Sequence, residues 1–230
     1  MSAPRTARAR ARAELTHEIK DAAGRQLTEV GAAALSLRAV ARELGMASSA
    51  VYRYFASRDE LLTALIIDAY DAVGAAAEDA EAAVPRGDHL GRWLAAMEAA
   101  RAWALAHPQQ YALIFGSPVP GYRAPQTTAD PASRIPLLCL RILGDADAAG
   151  ALRPRPESVL PAAVRSDLEA LSALVASGLG EELLARTIMA WTQLIGSISF
   201  ELFGHLNNVI RDYDAYFTFQ MRNVAHDLGL

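Results

Sequence analysis

Between Leu44 and Leu62 the chain reads LGMASSAVYRYFASRDELL, and seven consecutive residues in it, 48–54, include Ser48, Ser49, Tyr52, Arg53 and Tyr54. Two hydroxyls, a guanidinium and two phenols can hydrogen-bond phosphate oxygens and base edges. A hydrophobic core does not need that mixture. Val51 and Phe55 stand four apart and make one inward stripe of a short helix. Ser48, Ser49, Tyr52 and Arg53 are left facing outward, with Tyr54 at the edge. Catalytic groupings do not assemble elsewhere. The THEIKD run at 16–21 lacks the second histidine of a metalloprotease motif. The five histidines include no i, i+4 pair. Asp145 and Asp147 have no further carboxylates to complete a calcium loop. The sequence therefore predicts no enzyme, no metal site and no cofactor.

The elements that must hold the outward stripe are short helices. Leu15, Ile19, Ala22, Ala23, Leu27 and Val30 recur at three and four, predicting a first helix over 14–30 that ends at Gly31. Ser36 is placed to cap a second helix with Leu37, Val40, Ala41 and Leu44 on its apolar face. Gly45 permits a tight turn, and a third helix spans 48–55. SRDE at 57–60 reads as a capping box that opens a fourth helix through Val73. Two short helices joined by a glycine turn and packed on a first helix make a helix-turn-helix.

Composition sets the frame. Hydrophobic residues are 52% of 230, enough for a sizeable core, and the abundance of alanine with few β-branched runs predicts an all-α fold. The lone Cys139 excludes an internal disulfide and suits a reducing cytoplasm. No apolar segment follows the Arg-rich start as in a signal peptide, and the longest uncharged run, between Arg186 and Glu201, is too short to span a bilayer. Residues 1–60 carry ten Lys and Arg against seven Asp and Glu, whereas 61–230 carry twelve against nineteen. A basic end on an acidic body suggests that only that end meets a polyanion. Arg5, Arg8, Arg10 and Arg12 fall in a predicted disordered arm, 1–13; it reads either as a solvated tail or as a minor-groove arm. The helix-turn-helix domain is expected over 14–60 and a larger helical domain over 61–230.

The stretch ALSLRAVARELGMASSAVYRYFASRDELLTAL, 34–65, resembles the DNA-binding domain of TetR-family transcriptional regulators. RAWALAHPQQYALIFGSPVPGY, 101–122, resembles the ligand-binding domain of an actinobacterial-type subgroup. The resemblance implies a recognition helix over Ala47 to Tyr54. It puts a phosphate-contacting hydroxyl at Ser36, a base- or phosphate-reaching cation at Arg38, a phosphate-binding tyrosine at Tyr52 and a backbone-gripping cation at Arg58. Small residues stand at Ser49 and Ala50, where other members carry larger readers. Sequence readout then rests on Arg53, Tyr54 and Arg38.

Beyond a polar, Ala-rich stretch at 75–89, helices are expected over 90–106, 109–115, 131–143, 160–177, 181–206 and 212–228, with a Pro- and Gly-rich loop at 116–125. Trp93, Met97, Trp103, Tyr111, Phe115 and Gln193 are candidates for lining a ligand cavity, for an apolar or weakly polar molecule. In the long helix Trp191, Leu194, Ile198 and Leu202 make one stripe. Tyr213, Phe217 and Val224 make another in the last helix, and Gly196, Ser197, Ser199 and Gly204 allow close approach. Two such stripes exceed what one protomer must hide, and the resemblance implies a four-helix dimer bundle. The expected protein is a homodimeric, ligand-released repressor on an inverted-repeat DNA operator, away from membranes. An activator or ligand-independent regulator of the same fold is the alternative, and a helical enzyme a more distant one.

Overall fold

The computed structural model describes residues 7–154, 159–175 and 178–230. Eleven α-helices follow in chain order, and there is no strand among the described residues: α1 (Ala7–Val30), α2 (Leu37–Glu43), α3 (Ser48–Val51), α4 (Arg58–Ala82), α5 (His89–Ala106), α6 (Pro108–Phe115), α7 (Ala129–Ala132), α8 (Arg134–Ala148), α9 (Ala162–Val175), α10 (Glu181–Leu202) and α11 (Tyr213–Leu228). The chain divides into two compact units. The first holds residues up to Tyr70 together with His107–Ala129, and the second holds Asp71–Ala106 and Asp130–Leu230.

In the first unit, Ile19, Ala22 and Ala23 of α1 are fully buried against Leu37 and Val40 of α2, Val51 of α3 and Leu61 and Leu62 of α4. α2 closes with a Schellman turn. Met46 N–H donates to the Ala41 carbonyl at 2.8 Å and Gly45 N–H to Arg42 at 3.2 Å, with Gly45 at φ +64°. The capping box at the start of α4 forms with its Ser57 half in register and its Glu60 half reaching one residue further back. Ser57 Oγ accepts from Glu60 N–H at 3.1 Å, while Glu60 Oε2 accepts from Ala56 N–H at 2.8 Å. Leu113, Val119 and Tyr122 pack against this same core. Tyr122 and Thr63 share a hydroxyl–hydroxyl hydrogen bond of 2.9 Å, and Tyr70 donates to the Ile114 carbonyl at 3.3 Å.

In the second unit α5 packs against α8, α10 and α11. Trp93, Met97, Leu138, Ile142, Leu194 and Met221 are all fully buried. Trp93 Nε1 donates to the Met221 carbonyl at 3.2 Å, which satisfies its only polar atom. Arg92 is buried outright and is tolerated because its donors are taken up: Glu81 Oε1 accepts at 2.5 Å, Asp145 Oδ2 at 2.7 Å and the Arg86 carbonyl at 3.1 Å. Burial works to raise the Asp145 pKa, but the Arg92 and Arg86 guanidiniums outweigh it and hold the carboxyl below its ordinary value. Arg101 grips Glu201 with two 2.7 Å bonds, reaches Asp214 at 2.7 Å and covers the Phe217 ring at 5.2 Å.

Several expectations need correcting. The arm expected over 1–13 is helical from Ala7 onward, because alternating Ala and Arg are strong helix formers and α1 simply continues; Arg5 lies outside the described residues. The polar stretch at 75–89 is no linker at its start, since Ala-rich composition carries α4 unbroken to Ala82. A domain boundary at 60/61 is replaced by a division after Tyr70, and 107–129 joins the first unit. The third helix is a single turn, and residues 52–54 continue it as a turn. α10 stops at Leu202, four residues short of expectation. Ser177, the expected end of the 160–177 helix, lies outside the described residues.

Candidate nucleic-acid interface

The reading surface is built on α2, α3 and the turn that follows. Val51 is fully buried and Phe55 nearly so, which fixes the rotation of the segment. Tyr52, Arg53, Ser49 and Ala47 are consequently exposed, and Ser48 and Tyr54 half-buried. Among the described residues no hydrogen bond or ion pair engages the side chains of Arg38, Ser48, Ser49, Tyr52 or Arg53. Ser36 stands at the N-cap of α2 in extended geometry (φ −140°, ψ 123°), but its hydroxyl does not cap. Its N–H instead donates to Gln26 Oε1 at 3.3 Å. A row of donors held by buried neighbours and unused within the protein is what contact with a phosphate backbone requires.

Two arginines are placed differently from expectation. Arg58 does not offer a free cation at the start of α4. Its guanidinium donates to the carbonyls of Ala32 at 2.8 Å, Ala33 at 3.1 Å and Leu35 at 3.2 Å. These carbonyls belong to the 3-10 turn at Ala32–Ala34 and the residue after it, where the backbone offers little: the Ala32 carbonyl accepts only a long 3.4 Å bond from Leu35 N–H. Arg12 lies over the Tyr54 ring, 4.9 Å from its centroid. Conversely, Arg42 was missed. It is exposed in the last turn of α2 and makes no side-chain hydrogen bond or ion pair among the described residues. It stands four residues after Arg38, so helical spacing alone could have placed the two on one face.

The model "Bacterial regulatory proteins, tetR family" matches residues 19–65, and "Tetracyclin repressor-like, C-terminal domain" matches 93–224, more than half of the chain. The HTH-type transcriptional regulator Rv1816 of Mycobacterium tuberculosis is 38% identical over 218 residues, covering 92% of this chain and 91% of that protein. Its counterpart in Mycobacterium bovis, Mb1846, matches to the same extent. This chain belongs to the TetR family of bacterial transcriptional regulators. Among solved structures the regulatory protein SCO4313 superposes with a TM-score of 0.77 at 35% identity, covering 97% of this chain and 99% of that one. A Rhodococcus sp. RHA1 protein of unknown function shares the fold at 0.72 and 23% identity, over 94% of this chain and 96% of that one. The chain is therefore a DNA-binding transcriptional regulator and not an enzyme, and its helix-turn-helix is the family's DNA-binding element. Among the described residues no group of three His, Cys, Asp or Glu side chains is arranged to hold a metal. No helix among them is long and apolar enough to cross a membrane.

The residues expected to line a ligand cavity are divided between the two units. Trp93, Met97 and Trp103 are packed into the core of the second unit. Tyr111 and Phe115 belong to the first unit, their rings 5.1 Å apart, with Phe115 edge-on to Tyr70 at 5.7 Å. Gln193 is exposed on α10. The expected dimer stripe turns inward only in part. Leu194, Ile198 and Phe217 are buried within the protomer, while Trp191, Leu202, Tyr213 and Val224 are half-buried. α10 is apolar on two sides, and its outward side carries Met189, Gly196 and Phe200 at helical spacing, with Gln193 among them. Met189 is 68% exposed, Phe200 52% and Phe219 of α11 61%.

Proposed function

We propose that this TetR-family regulator is a homodimeric repressor, joined through the outward sides of α10 and α11, that binds an inverted-repeat operator and leaves it when a small apolar ligand occupies the second unit. The outward row Met189–Gln193–Gly196–Phe200 with Phe219 carries the reading. Large apolar side chains exposed in series on adjacent helices favour a partner surface. A groove of about 530 Å³ beside them, lined by Met189, Gln193, Phe219 and Asn223 among others, gives a second copy's side chains somewhere to enter. A two-fold dimer selects a two-fold operator, with half-sites about 34–36 Å apart. On the DNA, Ser36, Ser48 and Tyr52 contact phosphates, and Arg38, Arg53 and Tyr54 face base edges. The reducing cytoplasm, where the operator is, suits the unpaired Cys139, whose thiol is pushed up to about 12 by burial.

The dense packing around Trp93 and Met97 favours a second reading, a regulator of the same fold that needs no ligand. Both are tested in one series: selection of bound sequences from random DNA, light scattering of the free protein, then a screen of apolar molecules for release of the selected operator. The first reading expects a palindromic consensus, a dimer and at least one releasing compound. Linkage then requires the operator to weaken binding of that compound by the same factor, and a tenfold effect corresponds to about 1.4 kcal/mol. A monomer on a non-repeated site would refute the dimeric reading, and a screen without hits would favour the second.

A further inference from the structure

Helix α1 overshoots the core it serves. Ile19 and Ala22 are fully buried, yet every residue from Ala7 to Glu14 is exposed. The inward stripe nevertheless continues into this overhang, since Arg12, Leu15, Ile19 and Ala22 are separated by three, four and three residues. Arg12 therefore extends the core-facing side by a turn and comes to rest on the reading segment. Its guanidinium lies 4.9 Å from the Tyr54 ring centroid, and Nη2 donates to the Arg53 carbonyl at a long 3.4 Å. The turn that carries it is closed by Thr16 Oγ1, which donates to the Arg12 carbonyl at 2.8 Å.

That segment has little else to hold it. α3 is four residues long and passes into the turn at 52–54. Val51 and Phe55 fix it from the inside, and the Ser48, Ala50 and Val51 carbonyls accept from the N–H groups of residues 52–55, but among the described residues no backbone N–H reaches the Arg53 carbonyl just beyond them. A cation at that end suits both the carbonyls and the helix dipole, and the face of Tyr54 attracts the same charge.

We infer that Arg12 is a positioning residue for sequence reading: it acts through Arg53 and Tyr54, fixing the outward side of the reading segment, and makes no DNA contact of its own. This rests on Arg53 and Tyr54 facing base edges, as proposed above. A lysine at position 12 keeps the charge but neither the fork nor the flat stacking surface.

The test uses the full chain and three variants, R12K, R12A and R53A, each measured by selection from random DNA, by operator affinity across a salt series and by thermal melting. The expected result is that both Arg12 variants lose roughly two- to fivefold of discrimination, the scale of one exposed cation–π contact, at the base steps that R53A also alters. Their salt slopes stay those of the parent, and their melting temperatures fall by no more than about 1–4 °C, the scale of that one contact. Preference unchanged in both Arg12 variants while R53A alters it overturns the inference and leaves the reading surface standing. So does a uniform loss in R12A with a slope lower by about one unit, restored in R12K, which would make Arg12 a phosphate contact. A lower melting temperature with intact preference would reduce Arg12 to packing. If R53A also leaves preference unchanged, the reading surface itself is misplaced and the inference falls with it.

Discussion

Replacing Arg58 with alanine separates two roles that give the same loss of DNA binding. At the start of α4 a lone cation is mildly unfavourable to the helix dipole, so a phosphate contact is the natural expectation. The structure gives the side chain another task, three hydrogen bonds to the carbonyls of Ala32, Ala33 and Leu35. These carbonyls belong to the chain that leads into α2, directly before Ser36 and Arg38. Hydrogen bonds from charged groups contribute about 1.5–3 kcal/mol when well buried. The Arg58 side chain is 28% exposed, so water replaces part of what is lost. A discounted value of somewhat under 1 kcal/mol per bond gives about 2–3 kcal/mol for R58A. For a chain of this size each kcal/mol moves Tm by about 2–4 °C, so a fall of roughly 4–12 °C is expected.

The assay is thermal unfolding beside operator affinity over a salt series, for R58A and R58K. The structure predicts that R58A melts low and binds all sequences more weakly with an unchanged salt slope, because no phosphate contact is lost. R58K should melt almost as low, since one ammonium cannot serve three carbonyls spread over four residues. Parent-like melting of R58A with a slope smaller by about one would refute the carbonyl-holding role and restore Arg58 as a phosphate grip.

The other predictions are shorter. Tyr52→Phe removes one hydroxyl from an exposed ring and should weaken binding on every sequence by about 0.5–1.5 kcal/mol with no change of salt slope, measured by operator titration; a change in consensus would count against a phosphate contact. Met189→Asp or Phe219→Asp should yield folded monomers by light scattering and circular dichroism, whereas Ile198→Asp, buried in the protomer, should fail to fold; dimers in both surface variants would count against this face. The hydrogen bond from Arg134 at 2.6 Å holds the Glu78 pKa below its ordinary value. Its stabilisation is complete above the ordinary glutamate range and is lost as pH falls through the depressed value. Glu78→Gln should therefore lower stability at neutral pH and flatten its decline in acid, seen by denaturant titration at several pH values. Equal pH profiles in parent and variant would contradict the linkage.

The head was legible because its signals are local. The stripe of Leu37, Val40 and Ala41, the Gly45 turn and the Ser57–Glu60 pair each lie within a few residues, and all point to the same three-helix arrangement. The reading surface followed from one buried pair, Val51 and Phe55, which fixes what faces out. Three things were not legible for physical reasons. Arg58 and Arg12 look alike on paper, but their roles depend on carbonyls 23–26 residues away and on a ring 42 residues away. α10 is apolar on two sides, and periodicity cannot say which of them faces the core, so Leu194 and Ile198 of the expected dimer stripe are buried in the protomer. The polarity of the Ala-rich run after Val73 stops the expected fourth helix there, although the same alanines favour helix strongly enough to continue α4 to Ala82.

The attachment of residues 107–129 to the head has no local signal at all, since the Thr63–Tyr122 bond spans 59 positions. It alters how a ligand effect could reach the DNA. A lever made of α4 alone would leave the head otherwise free to turn about one helix. Instead the chain passes between the units three times, within α4 after Tyr70, between Ala106 and His107, and between Ala129 and Asp130. The second crossing is stiffened by Pro108 at the first turn of α6, and α6 is followed by Val119 and Tyr122, both packed on the head core. The ligand release proposed above requires a differential affinity that the head can sense. With Leu113, Val119 and Tyr122 built into the head core, α6 and its loop are as direct a covalent route for that bias as α4.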